Sequence, residues 1–417
     1  MDLSRYYKKG RPRINVSIDI LILIIISIGF FDFVPLAPIF GGNGTFTFYM
    51  LALAVIYIRN LGFQIRYGIF PKLKPLWWIL AGILLSFIPA YLYYGQHLYH
   101  SVVVYRVFAA YLVYPVLLSI RPTDIEIKRA LYSFVFIYFV ALLWGTFVQP
   151  GWVVVPDGVE FIEEGDIVRR LPGDQFLTPA LIFALNDFRN RKNKLKWGAL
   201  SLFIFFVIFL IQSRTILVAA LAVIVFVVLF DKKASRRLAA EVLMVFFFIA
   251  FSVIAFSYVS GLFEETMGQL SDPDYNRVKS FDYFVSGVNG WASYIWGNGF
   301  ISGHVSSVVE QLQLDGIFHS DLGLLGFWHQ FGIIPPLTVL VYVIRGLSRN
   351  HSYVVRANAL YILMGALTIS YFLTPRYSLW LCLYFYLYYS DTGYYVAKKE
   401  QEKRKVDRLL RRYRSLV

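Results

Sequence analysis

The sequence predicts an all-α fold, a polytopic membrane bundle of about twelve transmembrane helices that forms a single transmembrane domain over residues 1–417. Hydrophobic residues make up 58% of the chain and charged residues only 16%, whereas a soluble chain carries about 25% charge. Many apolar runs of about 15–22 residues, each bounded by charge or by Gly and Pro, are long enough to cross a bilayer. The composition excludes a soluble enzyme and a disordered chain. A disulfide scaffold is excluded because Cys382 is the only cysteine.

The predicted spans follow the apolar runs in order. They cover 15–37, 45–58, 76–94, 101–119, 130–148, 174–187, 196–212, 215–230, 238–259, 321–344, 357–373 and 377–395. The weakest is 174–187, which is short and contains Pro179. We expect it to extend upstream, to tilt, or to be shielded by neighbouring helices. Without this span, the basic stretch 189–196 would lie on the wrong side of the membrane.

The distribution of basic residues predicts the orientation of the helices. If both termini lie in the cytoplasm, all but seven of the 40 Lys and Arg residues fall in the N-terminal segment, the inward-facing loops and the basic tail at 396–417, as the positive-inside rule requires. The same distribution explains the formal net charge of +14 without a nucleic-acid partner, because the tail can contact anionic lipid headgroups instead.

The seven exceptions predict an anion-binding site on the outer face. A charged side chain within a span costs at least about 2.5–3.5 kcal/mol at the helix centre, and the arginine fork binds phosphate oxygens without losing its charge. Any single one can equally pair with an outward acid such as Glu163 or Asp272. The seven residues are Arg106, Arg169, Arg170, Arg214, Arg277, Lys279 and Arg376.

Two outward segments are candidates for local folding. The first covers 149–173, and the second, 260–320, has about sixty residues, which is too many for a plain connector. Residues 276–288 form an amphipathic patch that can lie along the membrane surface. Trp291 and Trp296 have flat rings with polar edges that suit sugar faces, and a role at the membrane interface fits them equally well. We expect the second segment to carry the active site.

Two of the seven cations occupy unusual positions. Arg214 lies in the sequence IQSRT, where the chain must reverse between two apolar runs. A helix break whose backbone N–H groups point outward beside an arginine can hold an anion, and the alternative is a turn residue that extends its side chain to the interface. Arg106 lies inside the fourth span, a costly placement that favours a buried ion pair or a ligand contact.

The candidate for acid–base chemistry is His319, which directly precedes the tenth span. A partly dehydrated imidazole at the membrane boundary can act as a general base near neutral pH. The alternative is a helix-start residue beside Ser320 and Asp321. We interpret His329, within the span, as a buried polar packing residue.

Motifs for nucleotide hydrolysis, zinc proteolysis and serine-hydrolase chemistry are absent from the sequence. It contains no glycine-rich phosphate loop, no HExxH and no GxSxG. The Asp-Pro-Asp sequence at 272–274 reads as a turn more simply than as a divalent-metal site. We therefore expect neither a metal nor a cofactor.

Four short motifs together resemble one family of membrane enzymes. They are QSR at 212–214, NRVKSFDYF at 276–284, GNGF at 297–300 and HSDLGLLGFWHQFGI at 319–333. In this order and topology they resemble the O-antigen polymerase and O-antigen ligase superfamily of bacterial inner-membrane glycosyltransferases. The resemblance is concentrated in about residues 205–335, and the other spans agree only in number and hydrophobicity.

The resemblance implies catalytic roles for three residues. Arg214 matches the serine-arginine motif, Arg277 the loop arginine and His319 the histidine at the end of the loop. Ser320 departs from the family, which commonly has Asn after this histidine. RLPG at 170–173 is a looser match to the family. We expect the substrate to contact a further set comprising Arg106, Arg169, Arg170, Lys279, Arg376, Trp291 and Trp296.

The resemblance also implies the substrate and the partners. Oligosaccharide repeat units carried on undecaprenyl pyrophosphate would be used on the periplasmic face without nucleotide or metal. Membrane lipids and a chain-length regulator protein are further partners, and nucleic acid is not. We expect a polymerase that transfers the growing glycan to the hydroxyl of an acceptor sugar. Two alternatives stay open: a ligase that transfers the glycan to lipid A core, and a transporter or flippase of lipid-linked oligosaccharide, which should show repeat symmetry.

The predicted topology can be tested with reporter fusions. A reporter fused after Gly290 should report a periplasmic location and one fused after Lys233 a cytoplasmic location, because the positive-inside rule places the two loops on opposite sides. Alkaline phosphatase and a fluorescent protein used in parallel provide the two readouts. Swapped locations would overturn the orientation and the anion-site prediction with it.

Overall fold

The computed structural model describes most of the chain. The described residues are 16–28, 43–59, 73–147, 173–190, 193–211, 213–229, 276–286, 290–301, 319–348, 350–366 and 377–391, with 268, 272, 315 and 317. About 87% of the structure is helical, and the part of the chain it describes contains no strand. The predicted all-α fold class is confirmed for these residues.

The described residues form sixteen α-helices, numbered in chain order. They are α1 Val16–Ser27, α2 Asn43–Arg59, α3 Lys74–Leu85, α4 Phe87–Tyr94, α5 Leu98–Tyr105, α6 Val113–Ile120, α7 Asp124–Phe147, α8 Leu177–Asn190, α9 Lys194–Ile211, α10 Arg214–Leu229, α11 Asn276–Val285, α12 Ala292–Trp296, α13 Gly323–Phe331, α14 Ile334–Gly346, α15 Tyr353–Gly365 and α16 377–391. Short 3₁₀ segments at Arg106–Leu112, Asp174–Phe176 and His319–Leu322 precede α6, α8 and α13.

Helices with the properties of membrane spans are present. Lys74–Tyr94, Asp124–Trp144 and Lys194–Ile211 are each long and apolar enough to cross a bilayer. Five shorter apolar helices accompany them in the described part of the chain: Val16–Ser27, Thr47–Arg59, Phe108–Ile120, Thr215–Phe226 and Ile334–Gly346. Helix occupies most of the described part of each predicted span. The whole of 238–259 lies outside the described residues, as do 29–37, 367–373 and 392–395. The count of twelve spans stays a prediction.

The helix predicted to be the weakest span lies at the centre of the bundle. In α8 almost every side chain from Leu177 to Phe188 is buried, and the helix packs against α7, α9, α10 and α15. Neighbouring helices shield it, as the sequence analysis expected. Its position also places Asp187 Oδ1 2.5 Å from Lys128 Nζ on α7. The buried carboxylate of this helix is therefore paired with an ammonium group.

The tenth span differs from its prediction because it is not one continuous helix. Residues 321–344 are divided into α13 and α14 by Gly332 and Ile333. Gly332 has φ of +72°, a backbone conformation that glycine adopts much more readily than other residues. Pro335 lies at the start of the next helix, where proline is favoured. The break leaves backbone N–H and C=O groups without intrahelical hydrogen bonds at the middle of the predicted span.

A tight turn at Gly297–Phe300 fills this break. The backbone N–H of Asn298 donates to the carbonyl of His329 (2.8 Å), and that of Gly299 donates to the carbonyl of Gln330 (2.9 Å). In the reverse direction, the N–H of Ile333 donates to the carbonyl of Ile295 (3.1 Å). The turn therefore satisfies backbone groups that the interrupted helix leaves without intrahelical partners.

The helices at α3–α5 hold the other side of the same turn. The backbone N–H of Phe300 donates to Tyr105 Oη (2.9 Å), which also lies 2.6 Å from Ser86 Oγ. Gln96, which is fully buried, donates from Nε2 to the carbonyl of Phe300 (3.2 Å) and to Ser101 Oγ (2.9 Å). The turn is thus attached to two separate parts of the bundle.

A matched pair of glycines tests the packing of this turn. Gly297 and Gly290 share φ of +81°, so alanine at either position should cost about 1–2 kcal/mol in backbone strain. At Gly297 the new Cβ would also lie 2.4 Å from the Gln330 carbonyl oxygen, whereas at Gly290 it would meet no atom of the described residues within 4 Å. We expect Gly297→Ala to lose a further ~1–3 kcal/mol of unfolding free energy. Thermal unfolding in detergent compares the two, and equal losses would contradict the close approach.

Candidate functional site

A chain of three polar side chains forms the candidate site. His319 Nε2 lies 3.1 Å from His329 Nδ1, and His329 Nε2 lies 3.0 Å from Asn298 Nδ2. His319 comes from the 3₁₀ segment, His329 from the last turn of α13, and Asn298 from the turn that fills the helix break. The fold therefore joins two of the motifs that were separate in the sequence, GNGF and the histidine-containing stretch.

The position of His319 depends on a glycine in α13. A Cβ added at Gly326 would lie 2.0 Å from the carbonyl oxygen of His319. Only glycine lets the 3₁₀ segment approach the helix so closely. This contact places the backbone of His319 against Gly326 of α13, which follows it by seven residues. The ring of His319 is thereby brought towards His329.

Phe284 covers both imidazole rings from a third element. This residue of α11 is 3% exposed, and its ring centroid lies 4.7 Å from that of His319 and 4.5 Å from that of His329, nearly parallel to each. Tyr283 is also close to His329, with ring centroids 5.7 Å apart. The amphipathic patch predicted at 276–288 is helical over Asn276–Val285, and this helix contacts the site through Phe284 and Tyr283.

Burial determines the protonation state of His319. Removal of the imidazole from water, followed by the nearby His329, holds the pKa of His319 well below its usual value of 6.5. Burial has this direction because it disfavours the charged form of a histidine. The ring is consequently neutral at near-neutral pH, and it can exchange a hydrogen bond with a bound molecule without carrying a charge of its own.

A small pocket opens beside the polar chain. Its volume is about 10 Å³, close to the room that one water molecule needs. Aromatic and polar side chains line it, namely Phe284, Ser293, Tyr294, Asn298, Leu325, Trp328 and His329. Within the described ranges no group of three or more His, Cys, Asp or Glu side chains is arranged to hold a metal ion.

The helix that carries Phe284 also carries two of the predicted cations. Arg277 precedes Phe284 by seven residues, so the two Cα positions lie within about 20° of each other around the helix and about 10 Å apart along it. Lys279 lies about 140° around the helix from Phe284. Both cationic side chains are partly exposed. Arg277 therefore shares the helix face that contacts the histidines, and Lys279 does not.

The other predicted site residues in described positions are exposed. Arg106 begins the 3₁₀ segment after α5, and its side chain is exposed. Trp291 is 75% exposed and Trp296 is 48% exposed, on or beside α12. Neither tryptophan lines the small pocket. All three remain candidates for contact with a large substrate or with lipid.

The structure describes the remaining candidates only in part. Arg214 is the first residue of α10, two residues after α9 ends, which confirms the predicted helix break, but its side chain lies outside the described residues. Arg169, Arg170 and Arg376 also lie outside them. Convergence of Arg214 and Arg277 on one pocket therefore stays a prediction.

Two residues of the site were not assigned to it by the sequence analysis. His329 was interpreted as a packing residue, yet it bonds to both His319 and Asn298. Asn298 was noted only as part of a turn motif. One sequence signal was available: Gly332 followed by Pro335 and Pro336 predicts a helix end shortly after His329, which would have placed this histidine at a terminus.

Comparison with known proteins adds no family assignment to this geometry. Neither the models of protein families nor the curated proteins contain a match to this chain.

Two phenylalanines on α11 test the assembly of the site. Phe284 is 3% exposed and stacks on both histidines, whereas Phe281, three residues away, is 50% exposed. Phe284→Ala should lower the free energy of unfolding by about 3–5 kcal/mol, and Phe281→Ala by no more than about 0.5 kcal/mol. Unfolding followed by tryptophan fluorescence in detergent measures both. Similar losses would show that α11 does not pack on the histidines through Phe284.

Proposed function

We propose that this protein is a glycosyltransferase of the bacterial inner membrane that polymerises oligosaccharide repeat units carried on undecaprenyl pyrophosphate. The observation that supports it most directly is the shared face of α11, from which Phe284 covers His319 and on which Arg277 lies two turns away. A neutral imidazole and a guanidinium are thereby associated with one helix face. Transfer of a sugar from a pyrophosphate can use both groups, because the guanidinium stabilises charge on the leaving group and the imidazole offers a hydrogen bond.

The reaction exchanges one bond of the donor sugar for another. The anomeric carbon loses its bond to the pyrophosphate oxygen, and the bonding electrons leave with the pyrophosphate. The same carbon gains a bond to the hydroxyl oxygen of the acceptor sugar, and the hydroxyl gives up its proton. Because the sugar–pyrophosphate linkage itself drives the transfer, neither a nucleotide nor a metal is required.

The arginines would stabilise the charge that develops on the leaving group. Negative charge on the pyrophosphate grows as the bond breaks, and donors aimed at it lower the barrier more than they stabilise the bound substrate. Arg277 can bind phosphate oxygens with a bidentate fork, and Arg214, at the start of α10, would do the same from the other side. His319 would form a hydrogen bond with the substrate. The two roles expected from the sequence, general base or orientation of the acceptor hydroxyl, depend on which of its ring nitrogens carries the proton.

The membrane context supports a lipid-linked substrate. Three helices in the described part of the chain are long and apolar enough to span a bilayer. The first of them begins with α3, which packs against α13 beside the site, so a polyprenyl tail could lie along it. The outer face, the inner-membrane location and a chain-length regulator as partner belong to this proposal. A ligase would use the same donor and chemistry with lipid A core as its acceptor.

A reconstituted assay tests the proposed function. Purified protein in liposomes is mixed with lipid-linked repeat units in the presence of a chelator and without nucleotide, and the products are separated on a gel. A polymerase should produce a ladder of glycans. Product only when lipid A core is added would identify a ligase instead, and no transfer to either acceptor would overturn the proposal.

Substitution of Arg277 provides a quantitative prediction. Loss of one donor to developing charge typically costs about 10²–10³-fold in turnover, so Arg277→Ala should reduce ladder formation by that factor. Arg277→Lys should recover only part of the loss, because an ammonium lacks the bidentate fork. Initial rates in the liposome assay measure both variants, with the thermal unfolding midpoint as a folding control. Full activity in the alanine variant would remove Arg277 from the mechanism.

A further inference from the structure

The orientation of the Asn298 side-chain amide follows from two neighbouring atoms of His329. Asn298 Nδ2 lies 3.2 Å from the carbonyl oxygen of His329 and 3.0 Å from its Nε2. A carbonyl oxygen can only accept a hydrogen bond. If the amide were rotated by 180°, the Asn298 side-chain oxygen would face the His329 carbonyl oxygen, which is also an acceptor, at about 3.2 Å. The amide NH₂ group therefore faces His329, and Nε2 of that ring accepts a hydrogen bond.

This donor determines the position of the proton on each imidazole. A ring nitrogen that accepts a hydrogen bond carries no proton, so the proton of neutral His329 lies on Nδ1. His329 Nδ1 faces His319 Nε2 at 3.1 Å and donates to it. His319 Nε2 is consequently the acceptor, and the proton of the neutral His319 ring lies on Nδ1.

We propose that Asn298 and His329 are positioning residues that hold His319 in its Nδ1–H tautomer, so that His319 offers a substrate a hydrogen-bond donor and not a basic nitrogen. The hydrogen bonds between the three side chains carry this proposal. The low pKa of His319 agrees with it, because an imidazole that stays neutral has a definite tautomer.

The consequence for catalysis rests on the proposed glycosyl transfer. With Nε2 already accepting from His329, His319 has no lone pair to take the proton of the acceptor hydroxyl. Its Nδ1–H would instead donate to an oxygen of the departing pyrophosphate, next to the arginines. The hydroxyl proton would then pass to the pyrophosphate oxygen that is released as the glycosidic bond forms, so that charge and protons balance.

The tautomer can be measured without any assay of activity. In protein labelled with ¹⁵N-histidine, a protonated ring nitrogen and a bare one resonate far apart. The His319→Asn variant identifies the His319 signals by their loss. We expect a protonated Nδ1 and a bare Nε2 for His319 in the wild-type protein. A protonated Nε2 on His319 would overturn the proposal, whatever reaction the protein performs.

A variant of Asn298 tests the origin of the tautomer. In Asn298→Asp, a carboxylate that only accepts replaces the donor, so the Nε2 of His329 should change from bare to protonated. Asn350→Asp makes the same chemical change at an exposed site and should leave both histidine spectra unchanged. An unchanged His329 signal in a folded Asn298→Asp protein would contradict the role of Asn298. If that variant does not fold, the wild-type spectrum still decides the tautomer.

Two replacements of His319 test the catalytic consequence in the liposome assay. Asn places an amide NH₂ near the position of Nδ1, whereas Gln places its amide near that of Nε2. If the donor at Nδ1 is required, His319→Gln should lose about 10²–10³-fold in rate, and His319→Asn should remain at least about tenfold more active than the glutamine variant. Equal or greater activity of His319→Gln would refute the donor role. An inactive wild-type protein with the expected spectrum would refute only the proposed transferase activity.

Discussion

The candidate site depends on one backbone constraint, the insertion of the Gly297–Phe300 turn into the break between α13 and α14. A Cβ at Gly297 would meet the backbone of Gln330 and Gly332 at 2.4–2.5 Å, so the approach is possible only without a side chain there. The hydrogen bonds of the turn replace those that the broken helix lacks. Since buried backbone groups must be paired, the turn and the break stabilise each other.

This constraint positions the polar chain from both ends. Asn298 is held in the turn by the hydrogen bond from its backbone N–H to the carbonyl of His329, and this bond places its amide beside the ring of His329. Tyr105 and Gln96 hold the next residues of the turn from the other side. A neutral chain of hydrogen-bonded groups tolerates burial far better than a charge would, which suits the covered position beneath Phe284.

Cationic and neutral groups are separated in the site. The histidines lie against aromatic rings, while Arg277 on the same helix face remains partly exposed. Desolvation of the imidazoles keeps them uncharged, and exposure leaves the guanidinium its charge at little cost. An anionic substrate that approaches Arg277 would therefore also meet neutral hydrogen-bond donors. These donors do not compete with the guanidinium for the negative charge of the substrate.

The sequence alone determined where most helices lie, because apolar runs and the charged residues between them are local features. It correctly placed a helix at 174–187 despite Pro179, and it placed a reversal of the chain at Arg214, where α10 begins. It also identified His319 and the GNGF turn as unusual. The break at Gly332 was readable from its glycine and the prolines that follow, although the span was predicted to be continuous.

Only the tertiary structure decided which of these residues meet. His319, His329, Asn298 and Phe284 come from four elements separated along the chain, and their contacts depend on the close packing of the turn, the 3₁₀ segment and α11 around α13. Hydropathy and charge patterns contain no information on such pairings, because they describe how a segment partitions between water and lipid. Hydrogen-bond direction and ring stacking depend on distances between segments, and these arise only when the helices are packed.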